Sequence, residues 1–208
     1  EFVLVDDQKV DYETCLAKAG LATADRKQVV IVSGGPGTGK SVVAINLIVA
    51  LTKKGLLSKY VSKNAAPRAV YAQKLRGHRR NVEISGMFGG SGNFFETNPN
   101  TFDTLVVDEA HRLNEKSGLY GNLGENQIKE LIAAAKCTIL FADDDQLVTL
   151  SDIGYTRELE SWARKLGADV THLALASQFR CAGSDGYLAW LDETLGIRET
   201  ANPDFDAS

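Results

Sequence analysis

Residues 29–51 read VVIVSGGPGTGKSVVAINLIVAL, and this stretch decides the fold. The four apolar residues at 29–32 predict a buried strand, and a glycine-rich loop follows at 34–39. Lys40 and Ser41 then begin an apolar run of helical character that ends near Gly55. A strand, the pattern G-x-x-x-x-G-K-S and a helix, in this order, are typical of a phosphate-binding loop.

The chemistry of phosphate binding explains this spacing. Glycine accepts positive φ and lets the backbone approach a ligand closely. Consecutive amides then form an anion-binding nest, and the helix N-terminus behind them adds partial positive charge. We predict that a nucleoside triphosphate is held by Gly35, Pro36, Gly37, Thr38, Gly39, Lys40 and Ser41. Lys40 would reach the β- and γ-phosphates, and Ser41 would supply a ligand to Mg²⁺. A glycine turn without a ligand is the alternative.

Composition and charge describe an ordinary globular protein. Of the 208 residues, 44% are hydrophobic and 24% are charged. The net charge of −4 argues against a strongly basic nucleic-acid-binding surface but leaves room for a local basic groove. Cys15, Cys137 and Cys181 are far apart, so we predict neither a zinc site nor a disulfide framework. No apolar run reaches the roughly 18 residues of a membrane span, and no signal peptide is recognisable. We therefore expect a cytoplasmic location and no membrane partner.

Acidic residues follow two further predicted strands. Residues 105–107 form an apolar strand that ends in Asp108 and Glu109, and residues 138–141 form another that ends in Asp143 and Gln146. An α/β sheet places ligand chemistry at the carboxyl ends of its strands. Asp108 would hold Mg²⁺ through water, and Glu109 would polarise the attacking water as a general base. Asp143 and Gln146 would sense the γ-phosphate, with a capped turn of solvated acids as the alternative.

Gln8 lies at the start of the first predicted helix, upstream of the phosphate loop. Its side-chain amide carries both a donor and an acceptor, which suits a contact with the edge of an adenine base. Glutamine is mostly exposed in proteins, so a solvated side chain is the alternative.

The most basic segment is KLRGHRR at 74–80. Together with Lys63 and Arg68, its residues Arg79 and Arg80 are candidates for contacts with the phosphates of a nucleic-acid strand. Runs of charge usually face solvent, so a solvated basic loop is the alternative.

The hydrophobic pattern between these motifs predicts strands that alternate with helices. Helices are predicted at 7–19, 39–54, 125–136, 156–166 and 185–195, with one more after Pro67, and further strands at 59–61 and 170–175. In the first helix we expect Val10 and Leu16 in the core and Gly20 as the stop. Residues 85–101 and 113–124 are predicted loops. The alternation implies an α/β fold with a mostly parallel sheet and helices on both faces.

Three strings resemble, in their order along the chain, the motifs of superfamily 1 DNA/RNA helicases. They are GGPGTGKS at 34–41, VVDEAH at 106–111 and ADDDQL at 142–147. The resemblance implies a RecA-like P-loop NTPase domain that binds ATP and Mg²⁺. Ala142 stands where the family usually has glycine. Gln178-Phe179-Arg180 resembles the motif whose arginine reaches the γ-phosphate, and Ser62-Lys63-Asn64 resembles the segment that touches the nucleic-acid backbone.

Further strings are similar to a bacterial family related to the helicase domain of group-three Schlafen proteins. They are SKNAAPRAV, DEAHRL and QFRCAGSDGYLAWL. This resemblance implies a motor domain at 1–176, the start of a second lobe at 177–208, and a DNA or RNA strand as partner. The superfamily 1 resemblance implies catalytic roles for Lys40, Glu109, Gln146 and Arg180. Because such motors need two RecA-like lobes, we expect the second lobe in the full-length protein and weak activity from this fragment alone.

Two other functions remain open from the sequence. A regulatory ATPase that switches protein partners without moving on nucleic acid is favoured slightly by the acidic charge. A small-molecule kinase is less favoured, because the Asp-Glu pair suits activation of water and no acceptor-binding motif is evident.

Overall fold

The computed structural model describes residues 4, 6–65, 86–118, 121–147 and 149–175, which form a parallel sheet between two layers of helices. The strands are β1 Gln28–Gly34, β2 Ser58–Ser62, β3 Phe88–Gly89, β4 Phe102–Asp108, β5 Ala135–Ala142 and β6 Asp169–Leu175. The helices are α1 Asp6–Leu21, α2 Lys40–Lys53, α3 Gln127–Ala134 and α4 Thr156–Lys165. Short 3₁₀ turns follow β3, β4 and β5 at Ser91–Asn93, Ala110–Arg112 and Asp144–Gln146.

The sheet has six strands in the order β3-β2-β4-β5-β1-β6 within the described residues. Every neighbouring pair is parallel. All six carboxyl ends therefore lie along one edge of the sheet, where an α/β fold presents its ligand-binding groups. The predicted α/β fold with a parallel sheet is confirmed.

Alternate side chains of β1 enter two separate cores. Val30 and Val32 pack with α1 and α2, whereas Val29 and Ile31 pack with α3 and α4. A strand buried on both faces reads as a continuous apolar run, as 29–32 does. Helix α2 is buried along most of its length, which agrees with its broad apolar surface. None of the helices in the described ranges combines the length and the apolar character that a bilayer crossing requires.

Helix α1 differs from its prediction in which residues it buries. The buried stripe is formed by Gln8, Asp11, Cys15 and Ala19, at helical spacing. Val10 lies off this stripe and is 64% exposed, so its prediction as a core residue is wrong. The helix also continues through Gly20 to Leu21 instead of stopping at the glycine. Polar side chains on the buried face made the hydrophobic pattern of this helix misleading.

Helix α3 begins two residues later than predicted because of its cap. The Asn126 side chain accepts hydrogen bonds from the backbone N–H groups of Ile128 and Lys129 at 3.0 and 3.2 Å. Glu130 in turn accepts from the backbone N–H of Asn126 at 3.2 Å, so the amides of the first turn are satisfied. The helix ends at Ala134, and β5 begins at the next residue.

The segment predicted as a loop at 85–101 contains β3 and a 3₁₀ turn in its described part. Phe94 anchors it, since this side chain is buried and packs edge-on against Phe102 with ring centroids 5.9 Å apart. The helices predicted after Pro67 and at 185–195 lie outside the described residues.

We expect the thiols of Cys15 and Cys137 to be unreactive in the folded protein. Both side chains are fully buried, and burial raises the pKa of each, that of Cys137 to about 12. Because the thiolate is the nucleophile, labelling by Ellman's reagent at about pH 8 should be slow until denaturant is added. The Cys181→Ser variant leaves only these two thiols for the measurement. Rapid labelling of both thiols without denaturant would contradict the packing of α1 on β5.

Candidate active site

The predicted site residues emerge from neighbouring strands at one edge of the sheet. Strands β2, β4, β5 and β1 are consecutive in the sheet. Asn64 follows β2, Glu109 follows β4, Asp143 follows β5, and Lys40 follows the loop after β1. Parallel pairing therefore brings together side chains that lie far apart in sequence.

The loop between β1 and α2 has the backbone that its glycines allow. Gly37 and Gly39 have φ of 88° and 86°, values that other residues adopt only with strain. A Cβ atom on Gly39 would also lie 2.2 Å from Nε2 of Gln8. The hydroxyl of Thr38 donates to the carbonyl of Gly35 at 3.0 Å and closes the loop on itself. The loop is thus preformed around the N-terminus of α2.

Gln8 supports this loop from α1. Its side chain is only 5% exposed, so the alternative of a solvated glutamine is wrong. Its Nε2 donates to the carbonyl oxygen of Thr38 at 3.0 Å. This bond joins α1 to the loop backbone, and the adenine contact stays a prediction.

Lys40 connects the loop to the end of β5. Its ammonium donates to the carbonyl oxygens of Gly34 and Gly35, the second at 2.8 Å. It also pairs with Oδ2 of Asp143 at 3.3 Å, and both side chains are nearly buried. Within the described residues, Lys40 and Asp143 are therefore held together beside the loop.

The segment after β5 partly matches the alternative of a capped turn. Asp143 caps the turn by accepting from the backbone N–H of Asp145 at 3.2 Å, and the N–H of Gln146 donates to its carbonyl at 3.1 Å. Asp144 and Asp145 are exposed, but Asp143 is buried and paired with Lys40. A cavity of about 280 Å³ lies between this turn and the start of the loop at Gly34.

Asp108 is fixed by hydrogen bonds to both carboxylate oxygens. Oδ2 accepts from the hydroxyl of Tyr60 on β2 at 2.6 Å, and Oδ1 accepts from the backbone N–H of Glu109 at 3.0 Å. The side chain is almost fully buried. The part played by Tyr60 was missed from the sequence, because nothing in its strand separates it from an ordinary core aromatic.

Glu109 has an unusual backbone and a perturbed carboxylate. Its φ of 54° and ψ of 45° place it in the left-handed region. Burial and the neighbouring carboxylate of Asp108 raise its pKa, while a hydrogen bond from Asn64 opposes the shift. That bond joins Nδ2 of Asn64 to Oε2 of Glu109 at 2.6 Å. A partly desolvated carboxylate of this kind suits a general base.

Lys63 belongs to an ion-pair cluster that we call the Asp152 brace, formed by Lys63, Arg112, Asn114 and Asp152. The ammonium of Lys63 donates to Oδ1 of Asn114 at 3.0 Å and to Oδ1 of Asp152 at 3.1 Å. Nε of Arg112 lies 3.5 Å from Oδ2 of Asp152, whose side chain has no exposed surface. No pattern in the sequence predicts this cluster, because its members are separated by up to 89 residues and form no motif.

His111 is a second residue whose setting the sequence did not reveal. It is buried, and its Nδ1 has no hydrogen-bond partner among the described residues. Burial lowers the pKa of His111, and the positive charges of Lys40 and Arg112 lower it further. The carboxylates of Asp143 and Asp108 act in the opposite direction. The imidazole is therefore neutral near pH 7.

The residues present fit a nucleotide with Mg²⁺. Magnesium prefers oxygen ligands and is usually held by one or two protein groups, phosphates and water. Asp108 and the Ser41 hydroxyl supply such oxygens at the ends of β4 and of the loop. No group of three or more His, Cys, Asp or Glu side chains that could itself hold a metal occurs in the described part of the chain. The predicted contacts of Arg68, Arg79, Arg80 and Arg180 lie outside the described residues.

Comparison with known proteins identifies a family and a solved structure with a similar fold. Residues 27–208 match the family model described as Schlafen group 3, DNA/RNA helicase domain. The Pif1 helicase from Candida albicans has a TM-score of 0.56 at 15% identity, over 97% of this chain and 46% of its own. DnaA from Aquifex aeolicus has a TM-score of 0.43 at 16% identity, over 97% of this chain and 56% of its own. The chain thus spans about half the length of these solved structures, and a comparison with curated proteins gives no match.

We expect Glu109→Gly to leave the protein more stable than Glu109→Ala. Both variants lose the carboxylate and its bond to Asn64, so they differ mainly in the strain of the left-handed backbone at φ 54°. Alanine keeps that strain and glycine removes it, which is worth about 1 kcal/mol in the free energy of unfolding. Denaturant unfolding of the two variants measures the difference. Equal stability, or a more stable alanine variant, would contradict the left-handed backbone.

Proposed function

This chain belongs to the Schlafen group 3 DNA/RNA helicase domain family, and we propose that it is the ATP-hydrolysing RecA-like domain of a helicase or translocase. The observation that carries the proposal is the meeting of Lys40, Asp143, Asp108 and Glu109 at the carboxyl ends of β1, β5 and β4, three neighbouring strands. The site thus combines the ammonium of Lys40, the fixed carboxylates of Asp108 and Asp143, and the partly desolvated carboxylate of Glu109. Cleavage of a phosphoanhydride by water requires groups of these kinds.

The phosphate loop would bind the triphosphate. The backbone N–H groups of residue 35 and of residues 37–41 would surround the phosphates, since Pro36 has no N–H to donate. Lys40 would exchange its contacts with the carbonyl oxygens of Gly34 and Gly35 for contacts with phosphate oxygens. Bonds from an ammonium to an anion are stronger than bonds to neutral carbonyls, which favours that exchange. Gln8 maintains the loop and contacts the base.

Hydrolysis would use the groups at the ends of β4 and β5. Ser41 and Asp108 would hold Mg²⁺, which would supply positive charge to offset that of the phosphates. Glu109 orients the attacking water and accepts its proton. Asp143 and Gln146 respond to the γ-phosphate, and Arg180 is proposed as a further contact with it.

The motor would need more than this domain. We propose that residues 1–176 form the first RecA-like lobe, that 177–208 begin a second, and that this fragment alone hydrolyses ATP slowly. The proposed contacts with the backbone of a DNA or RNA strand are Lys63, Asn64, Arg68, Arg79 and Arg80.

A second candidate is a regulatory ATPase that switches protein partners without binding a strand. The internal pairing of Lys63 with Asp152 at 3.1 Å favours it, because that ammonium is not presented to a polyanion in this arrangement. The net charge of −4 points in the same direction.

The full-length protein should hydrolyse ATP, and a nucleic-acid strand should stimulate the reaction. Glu109→Gln should lower kcat by about a hundredfold or more while nucleotide binding persists, because it removes the base and keeps the shape. Glu115→Gln, at an exposed position, is the matched control and should leave the rate unchanged. Steady-state ATPase assays measure both variants, and equal rates for wild type and Glu109→Gln would refute the role of Glu109.

Strand binding measured against salt should separate the two candidate functions. Each phosphate neutralised by the protein contributes about −0.7 to −0.9 to the slope of log affinity against log salt. Changing Arg79 and Arg80 together to alanine should therefore flatten the slope by between about 1 and 2. A flat response in wild type, unaffected by the double change, would favour the regulatory switch.

A further inference from the structure

We propose that Asn64 is the positioning residue for Glu109, acting through the hydrogen bond that joins their side chains at 2.6 Å. This inference rests on the proposed hydrolytic function, since Glu109 must be the group that orients water. It assigns Asn64 a task inside the cleft, in addition to its predicted contact with a strand.

Glu109 needs such a partner because its own chain does not fix its carboxylate. The side chain has three rotatable bonds and is half-buried, with Oε2 held by Asn64. One donated N–H leaves further lone pairs on the two oxygens, so the carboxylate can still accept a proton from water. The bond therefore orients the base without blocking it. A displacement of about 1 Å in a catalytic group can cost a hundredfold in rate.

Asn64 is itself held in register with Glu109 by the sheet. Ser62, the last residue of β2, lies directly opposite Asp108, the last residue of β4. Asn64 lies two residues after Ser62 and Glu109 one residue after Asp108, so strand pairing brings the two to the same edge of the sheet. Tyr60 on β2 donates to Asp108 at 2.6 Å, so β2 and the segment directly after it supply one partner for each of the two acids at the end of β4.

The Asp152 brace holds one residue near each end of this hydrogen bond. Lys63 precedes Asn64 and is tied to Asp152, which also lies 3.5 Å from Arg112 on the turn after Glu109. The backbone N–H of Ile153 donates to Leu113 at 2.8 Å, which joins the segment carrying Asp152 to the same turn. Gly154 lies so close to that turn that a Cβ atom would come within 1.8 Å of the carbonyl of Ala110. These contacts hold the segments that carry Asn64 and Glu109 against each other.

The kinetic test uses Asn64→Ala and the isosteric Asn64→Asp in the full-length protein. Each should lower kcat for ATP hydrolysis about tenfold or more and leave KM for ATP unchanged, with the aspartate more severe because it repels the carboxylate. Asn98→Ala, at an exposed position, is the matched control and should behave as wild type. Unchanged kcat in the Asn64 variants, or a change confined to KM, would overturn the inference.

A double-mutant cycle tests whether Asn64 acts through Glu109. In a Glu109→Gln background, Asn64→Ala should produce little further loss of kcat, because the group it positions is gone. Independent multiplication of the two losses would overturn the inference. If Glu109→Gln alone leaves hydrolysis intact, the proposed function fails instead, and the two failures are thus distinguishable.

A second cycle needs neither nucleotide nor activity. Asn64→Ala and Glu109→Ala each remove the same hydrogen bond, so their effects on denaturant unfolding should be clearly less than additive. Strict additivity would show that the bond does not form in the protein and would overturn the inference.

Discussion

Parallel pairing of β4, β5 and β1 is the constraint on which the rest of the site depends. Val107 pairs with Leu140, and Ser33 pairs with Ala142, so the ends of all three strands lie level. Both faces of these strands are covered by helices, and a slip of one residue would move every side chain into the opposite core. The apolar packing on both faces therefore sets the register, and the register sets the distances between the charged groups.

The buried pair of Lys40 and Asp143 contributes position more than stability. Removing two charges from water costs about as much as their attraction returns, so such pairs add little to the free energy of folding. Separating such a pair is costly, because it leaves a buried charge uncompensated, so an anion that competes for Lys40 has to keep the ammonium close to Asp143. In the proposed function, a phosphate drawing Lys40 from the carbonyls of Gly34 and Gly35 would leave Asp143 close to the new charge, where it can respond to it.

The sequence predicted those features that are local along the chain. The fold, the phosphate loop and the acidic ends of two strands were each contained in strings of a few residues, where spacing and chemistry appear together. The contacts from Tyr60 to Asp108 and from Asn64 to Glu109 span 48 and 45 residues, and no periodicity reports such pairs. The burial of Gln8 and the exposure of Val10 were missed for a related reason, since residue type indicates average burial, whereas packing on α2 and the sheet decides it.

The position of Lys63 has a consequence for both candidate functions. Asp152 accepts from Lys63 and from the backbone N–H of Thr149, and it lies beside Arg112. If Lys63 left to contact a phosphate, Asp152 would keep a cation and an amide, so no buried charge would be stranded. The brace can therefore release Lys63 at far lower cost than a simple buried pair would impose. The present pairing of Lys63 with Asp152 is therefore compatible with a contact between Lys63 and a nucleic-acid strand. That contact would lie one residue from Asn64, whose side chain holds the carboxylate of Glu109.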